Sequence, residues 1–106
     1  MAYSRIHERG GEFSLTFPCQ GLPSNTAVRA AGHEPSGYFW EGIATLLAPE
    51  VVAALELDSD GETFRVTGLR VDLEELRNKV ELVISRPEAV RAALVRAEAE
   101  GFELHD

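Results

Sequence analysis

A regularly spaced set of apolar residues between positions 72 and 84 sets the strongest limit on how this chain can fold. They recur with the period of one face of an α-helix. They are Leu73, Leu76, Val80, Val83 and Ile84. Asp72, followed three positions later by Glu75, has the spacing of a capping box. The sequence therefore predicts an amphipathic helix that begins at Asp72 and packs its apolar stripe against another layer.

Two segments have the alternating pattern of β-structure instead. In residues 12–17, Phe13, Leu15 and Phe17 fall on one face, as in a half-buried strand. Residues 55–58 and 62–67 flank the turn-forming run Ser59-Asp60-Gly61, which predicts a β-hairpin, since an Asp-Gly pair is able to take positive φ. We therefore expect a sheet to be the second layer.

The remaining elements complete a single domain spanning residues 1–106. Ser36 is placed to cap a helix from Tyr38, Pro49 opens a short helical turn, and a last helix is predicted over residues 87–100. Residues 26–31 fit either a strand or a helical turn, and residues 1–10 have no clear period and are expected to be poorly ordered. The predicted fold class is α+β, with a small antiparallel sheet covered on one side by about three helices.

The net charge of the chain limits the kinds of partner that it is expected to bind. The chain has 18 acidic and 10 basic residues, a formal net charge of -8. Such a field disfavours binding to nucleic acid and to anionic membranes, whereas it would steer a basic protein towards the surface. Acidity that serves only solubility is the alternative. With no apolar leader or membrane-spanning run and a single cysteine, Cys19, the expected location is the cytoplasm.

Motifs for catalysis and metal binding fail at specific positions. His33-Glu34 begins a zinc-protease pattern, but Gly37 stands where the second histidine is required. The acidic run from Glu56 places Gly61 as in a calcium loop, but Thr67 stands where a bidentate glutamate belongs. We therefore expect no catalytic residues, no metal site and no cofactor.

Two surface features point to partner binding. Four carboxylates occupy alternate positions along the predicted hairpin, where like charges lie close together and a basic partner would relieve their repulsion. A solvated hairpin tip explains them equally well. Three consecutive aromatic residues follow the loop at 32–37, and a helix turns about 100° per residue, so at least one of them must reach the surface. The predicted partner-binding residues are Glu56, Asp58, Asp60, Glu62, His33, Glu34, Tyr38 and Trp40.

Three segments resemble the immunity protein 51 family of bacterial polymorphic toxin systems. They are the run Gly32-His33-Glu34-Pro35-Ser36-Gly37-Tyr38-Phe39-Trp40 leading into Glu41-Gly42-Ile43-Ala44, the acidic run Leu57-Asp58-Ser59-Asp60-Gly61-Glu62-Thr63-Phe64, and the helix at Asp72. The family pattern has a Gly-Tyr-x-Trp core entering a helix. The resemblance implies an α+β fold and a role as the antidote to a cognate toxin, bound through an acidic surface without catalysis.

Two other interpretations stay open at this stage. A small hydrolase or ligand-binding domain would use the Gly32–Trp40 loop as the wall of a pocket, lined by His33, Glu34 and Tyr38. A subunit that only dimerises is the third interpretation, and the sequence does not fix the oligomeric state.

Overall fold

The computed structural model describes residues 2–105 of the chain. The elements in chain order are β1 (Arg5–Arg9), β2 (Glu12–Pro18), α1 (Asn25–Ala30), α2 (Gly37–Leu47), α3 (Pro49–Val52), β3 (Glu56–Leu57), β4 (Thr63–Gly68), α4 (Arg70–Ser85) and α5 (Pro87–Ala99). The four strands form one antiparallel sheet in the order β1-β2-β4-β3. The predicted α+β class and antiparallel sheet are therefore confirmed.

The N-terminal strand corrects one prediction. Residues 5–9, expected to be poorly ordered, form β1 and pair with β2 from Arg5 opposite Thr16 to Arg9 opposite Glu12. Gly10 and Gly11 connect the strands with φ values of 59° and 86°. Positive φ at both central residues is the requirement of the tightest hairpin turn, which matches the twist of the strands. The Gly-Gly pair therefore reverses the chain.

Helices cover one face of the sheet and build the core against it. Leu15 and Phe17 of β2 and Phe64 and Val66 of β4 point into this core, and all four are almost fully buried. Phe17 stacks on Phe64 with ring centroids 4.6 Å apart. The whole predicted apolar stripe of α4 is buried against this layer, which confirms the amphipathic helix.

Within residues 2–105, no helix packs on the other face of the sheet. We call it the open face, and it consists of the side chains that alternate with the core residues along each strand. They are Arg5, His7, Arg9, Glu12, Ser14, Thr16, Glu56, Asp58, Thr63, Arg65 and Thr67. All are partly or fully exposed. The single polar face is the expected counterpart of a sheet packed on one side only.

Helix starts show where local sequence rules held and where they failed. Ser36 caps α2 as predicted, its hydroxyl accepting from the Phe39 N–H at 3.2 Å. The predicted capping box at Asp72 is wrong, because α4 already begins at Arg70 and Asp72 lies in its first turn without a capping bond. The undecided segment at 26–31 is the helix α1, and α5 agrees with its prediction within one residue.

The side chains of Glu81 and Ser24 form hydrogen bonds between the N-terminal third of the chain and the end of α4. The Glu81 carboxylate accepts from the backbone N–H groups of Tyr3 and Ser4 and from the Ser4 hydroxyl. The buried Ser24 hydroxyl donates to the carbonyl oxygens of Val83 and Ile84. These contacts satisfy polar groups that would otherwise be costly to bury. Within residues 2–105, no helix is both long and apolar enough to cross a lipid bilayer.

Candidate interaction surface

The turn between β3 and β4 is held by the side chain of Asp60. Its Oδ1 atom accepts from the backbone N–H groups of Glu62 and Thr63, both at 2.8 Å, and the Asp60 N–H donates to the Thr63 carbonyl at 2.9 Å. Neither Asp60 nor Gly61 has positive φ, so the turn does not use the conformation that an Asp-Gly pair is able to take. An aspartate that bonds the backbone two residues ahead replaces it.

Helix α2 lies directly against this turn. A Cβ atom built on Gly37 would lie 2.1 Å from the Asp60 carbonyl oxygen and 2.5 Å from that of Thr63. Those distances are below any real contact, so only glycine permits this approach. This close contact at Gly37 could not be predicted from the sequence, because glycine occurs at helix starts for many reasons.

Glu41 and Ser59 complete the connection between helix and turn. The Glu41 Oε2 atom, one turn into α2, accepts from the Ser59 N–H at 3.0 Å. The Ser59 hydroxyl bonds both backbone groups of Arg65, accepting from its N–H at 2.9 Å and donating to its carbonyl at 3.2 Å. Sequence reasoning missed both residues. We define the hairpin loop as residues 58–62, and it is fixed at each end and at its centre.

The four hairpin carboxylates are all exposed, but they differ in whether they already accept hydrogen bonds within the domain. Glu56, Asp58 and Glu62 extend into solvent, and no side-chain ion pair forms on them within residues 2–105. The Asp60 carboxylate is already engaged in two backbone hydrogen bonds. Its first role is to build the loop, and its other oxygen, which accepts no hydrogen bond within residues 2–105, is left for a contact.

The Gly32–Trp40 segment lies beside the β3–β4 hairpin because Gly37 contacts the hairpin turn. Tyr38 follows Gly37 and is 48% exposed, which confirms that one of the three aromatic residues reaches the surface. Glu34 is exposed and pairs with Arg29, Oε1 to Nη2 at 3.7 Å. His33 is half-buried, its ring centroid 5.5 Å from that of Phe39. Tyr38 and the hairpin loop are therefore neighbours, whereas His33 turns towards the core.

Trp40 is a correction to the predicted site. Its side chain is 0% exposed and packs edge-on against Phe17 and Phe39, with centroids 5.7 Å and 5.4 Å away. Two positions after Tyr38 on a helix, its side chain points to the opposite side, into the core. A partner cannot reach it without unfolding the domain, so its role is structural.

One cleft lies away from the hairpin loop. Its volume is about 680 Å³, and it runs between α1, α5 and the segment after α5. His33 contributes to its lining, but Glu34 and Tyr38 do not. The walls are mostly small or apolar side chains, with Arg91, Glu98 and Glu103 at the polar positions. This cleft is therefore not lined jointly by His33, Glu34 and Tyr38.

Cys19 lies beneath the hairpin loop. It is 2% exposed, and its N–H donates to the Glu62 carbonyl at 2.9 Å. Burial raises the pKa of the Cys19 thiol from 9.0 to about 12, and the nearby Asp60 charge adds to the rise. A protonated, enclosed thiol is a poor nucleophile, so Cys19 acts as a small apolar filler.

The candidate surface has neither a cluster of metal ligands within residues 2–105 nor a match among known proteins. Within residues 2–105, no three His, Cys, Asp or Glu side chains converge as they would around a metal ion. No family model, no curated protein and no solved structure matches this chain. The candidate site is thus defined by its own geometry: a rigid acidic loop, an exposed tyrosine beside it, and α2 supporting both.

Proposed function

We propose that this domain is an immunity protein that binds a basic bacterial toxin through Glu56, the hairpin loop and Tyr38 and catalyses no reaction. The observation that carries the proposal is the contact at Gly37, which places an exposed aromatic side chain beside a rigid acidic loop. Tyrosine is a frequent anchor in protein interfaces. A loop that is already ordered loses little conformational entropy when it binds.

The charge of the domain supports the proposal that its partner is basic. The exposed carboxylates of Glu56, Asp58 and Glu62 extend from a domain of net charge -8. Such a surface accelerates encounter with a positively charged cleft and rejects acidic proteins. Toxins that act on nucleic acids carry clefts of this kind, since they must face phosphate. The resemblance to the immunity protein 51 family in the Gly32–Trp40 and Leu57–Phe64 segments points to the same role, exercised in the cytoplasm of the producing cell.

The test is co-expression with the toxin domain encoded beside the gene, followed by measurement of binding and of toxin activity. The triple variant Glu56→Gln, Asp58→Asn, Glu62→Gln leaves Asp60 and the turn intact. We expect it to weaken binding at least about tenfold, mostly through slower association. Tyr38→Ala should weaken binding by a similar factor through faster dissociation.

A matched control removes the same number of charges elsewhere. Glu75, Glu98 and Glu103 are exposed, and no ion pair forms on them within residues 2–105. Their replacement by glutamine should leave affinity nearly unchanged. Equal losses in both triple variants would show that only net charge matters and would refute a local site. A neighbouring gene without a toxin domain, or turnover of a substrate by the purified domain, would refute the proposed role.

A further inference from the structure

Strand β1 lies at an edge of the sheet and leaves part of its backbone without a partner strand. The strand order gives it one neighbour, β2, along its whole length. Arg9 and Glu12 flank the two-residue turn, so they form a hydrogen-bonded pair, and such pairs recur at every second residue of an antiparallel hairpin. The N–H and C=O groups of Ile6 and Glu8 therefore point away from β2. Within residues 2–105, no hydrogen bond from outside the sheet reaches these four groups.

The segments on either side of β1 limit the length of this open edge. Before it, the Ser4 N–H donates to Glu81, and the Ser4 carbonyl accepts from Arg77 Nη2 at 3.3 Å. After it, the two glycines reverse the chain. Residues 5–9 thus form one short edge that contains no proline and pairs with β2 without a bulge. Prolines and bulges are devices that keep further strands from pairing, so the backbone of β1 is open to one.

The side chains of β1 differ between the two faces of the sheet. Arg5, His7 and Arg9 are exposed on the open face. Ile6 and Glu8 point to the other face, where Ile6 packs against the core and Glu8 is exposed. A strand added at this edge would therefore meet two arginines on one face, and an apolar and an acidic residue on the other.

The two arginines differ in their neighbours on β2. Arg9 lies opposite Glu12, whose carboxylate offsets part of its charge, whereas Arg5 lies opposite the neutral Thr16. Within residues 2–105, neither arginine has an ion pair within 4.0 Å. Arg5 is therefore the stronger attraction for a carboxylate on an added strand, and Arg9 is the weaker one.

The rest of the row that contains Arg5 does not neutralise it. Thr16 is followed across the sheet by Arg65, a second exposed cation, and then by Asp58, whose N–H donates to the Arg65 carbonyl at 2.9 Å. Three strand spacings, about 14 Å, separate Arg5 from Asp58. Charges this far apart are screened at physiological salt, where the Debye length is about 8 Å.

A second β1 strand is a poor occupant of this edge. The twofold register that uses all four outward groups pairs Ile6 with Glu8 of the second copy. That register places Arg5 opposite Arg9 of the second copy at both ends, and directly opposed like charges destabilise a strand pair. The occupant that fits the charges is a strand of a different protein.

We propose that β1 binds an extended segment of a partner protein, which adds to the sheet as an antiparallel fifth strand and carries carboxylates opposite Arg5 and Arg9. The residue between these carboxylates faces His7, whose Nε2 already lies 2.9 Å from the Thr16 hydroxyl, so an uncharged β-branched side chain suits it. On the other face, an apolar residue lies opposite Ile6 and a basic one opposite Glu8. The backbone groups supply affinity, and the alternating side chains supply selectivity.

This site is independent of the proposed function. β1 and β3 are opposite edges of the sheet, so the hairpin loop and the β1 edge can be occupied together. The β1 site is tested with the purified domain and a peptide alone. Its failure would leave toxin binding untouched, and failure of toxin binding would leave the peptide result untouched.

The probe is the acetylated and amidated peptide Glu-Lys-Thr-Val-Glu, which has the required pattern when it runs antiparallel to β1. An NMR titration would be made at about 0.15 M salt, where distant charges are screened. We expect a Kd of about 1 mM or lower, with chemical shift changes confined to β1 and β2. Hydrogen exchange at the N–H groups of Ile6 and Glu8 should slow on binding, because both groups become bonded.

Backbone changes test whether the peptide pairs as a strand. N-methylation of its fourth residue removes an N–H that points to β1, whereas N-methylation of its third removes one that points to solvent. We expect only the first to weaken binding, by at least about tenfold. In the domain, Glu8→Pro removes one outward N–H, which an edge strand tolerates. It should weaken binding by a similar factor relative to Glu8→Ala, which removes the same charge and keeps the N–H.

Charge changes test the register. Arg5→Glu should weaken binding at least about fivefold, and Arg9→Glu should do so less, because Glu12 already offsets that arginine. Replacement of the last glutamate of the peptide by lysine should restore binding to Arg5→Glu. Both arginines are exposed, and circular dichroism would confirm that the variants fold.

Three results would overturn the proposal. The first is no binding of the peptide at about 5 mM, which would mean that the charges on β1 serve only to keep other strands away. The second is equal binding by the two N-methylated peptides. The third is a failure of the lysine peptide to bind Arg5→Glu better than the original peptide does.

Discussion

The first hairpin, β1–β2, has two glycines at its turn, whereas the turn of the second hairpin, β3–β4, is held by the side chain of Asp60. Gly10 and Gly11 reverse the chain by their positive φ, and a Cβ atom built on either would meet nothing within 4 Å. In the second hairpin, Asp60 bonds the backbone, Glu41 bonds Ser59, and α2 packs against the turn at Gly37. The first turn is therefore a local structure, whereas the second is also held by contacts with α2.

This difference locates the rigid surface of the molecule. A turn that depends only on φ can bend without disturbing its neighbours. A turn bonded to a helix keeps its shape because the core keeps the helix in position. The proposed toxin-binding residues belong to the second kind, which is the one suited to presenting a fixed pattern of charge.

The largest expected effect comes from the contact that defines the second hairpin. Gly37→Ala would force a Cβ atom against the carbonyl oxygens of Asp60 and Thr63, and backbone cannot move aside cheaply. We expect a loss of about 2–3 kcal/mol in the free energy of unfolding, measured with urea. Gly61→Ala in the same loop is the control: its Cβ meets nothing within 4 Å, and we expect a change within about 0.5 kcal/mol. Equal stability of the two variants would refute the packing of α2 against the turn.

Removal of the Asp60 carboxylate is expected to have the next largest effect. Asp60→Ala leaves the N–H groups of Glu62 and Thr63 without their acceptor and should cost about 1–2 kcal/mol in chemical unfolding. Asp60→Asn keeps an acceptor oxygen and should recover most of this. Glu62→Ala removes a neighbouring exposed carboxylate and should cost less than about 0.5 kcal/mol. A similar cost for Glu62→Ala would contradict the assignment of the loop's stability to the hydrogen bonds of Asp60.

The first hairpin should respond to backbone conformation alone. Gly11→Ala places a Cβ at φ 86°, which should cost about 1–2 kcal/mol. Gly10→Asn, at φ 59°, should be nearly neutral, because asparagine tolerates the left-handed region. Thermal unfolding gives the stability, and titration with the toxin domain gives the affinity, which we expect both variants to retain. Weaker toxin binding by Gly11→Ala than by Asp60→Ala would show that the two hairpins are not independent.

The smallest effect concerns pH and the thiol under the second hairpin. Burial holds the pKa of Cys19 at about 12, above its ordinary value of 9.0, so the folded state keeps a proton that the unfolded state loses. The thiol leaves stability unchanged below about pH 9 and reduces it as the pH rises from there towards 12. Between about pH 8 and pH 10, the wild type should lose roughly 1 kcal/mol more than Cys19→Ala. Parallel pH profiles would contradict an enclosed thiol at this position.

The same contrast explains which parts of the fold could be predicted. Elements specified by their own residues were predicted correctly, as in the stripe of α4, the alternation of β2 and the Ser36 cap. β1 was missed because Ile6 is its only apolar residue, and an edge strand with one side chain against the core has no visible period. The Gly-Gly pair after it was the available indication, since it suits a tight hairpin turn.

The candidate site was only partly predictable for a related reason. The exposure of Glu56, Asp58 and Glu62 follows from their alternation in a polar hairpin. That Trp40 is buried and Tyr38 exposed depends on how α2 is rotated over the sheet, which three adjacent aromatic residues leave undetermined. The roles of Gly37 and Glu41 are invisible locally, because their partners lie about twenty residues away in the hairpin loop.

The attachment of Ser4 and Ser24 to the end of α4 has a consequence for synthesis. Ser4 meets Glu81, and Ser24 meets the carbonyl oxygens of Val83 and Ile84, some sixty to eighty positions later in the chain. During translation, β1, β2 and α1 emerge long before those partners exist. The nascent chain can therefore make these two attachments only after residues 81–84 have left the ribosome, so they belong to the late part of folding.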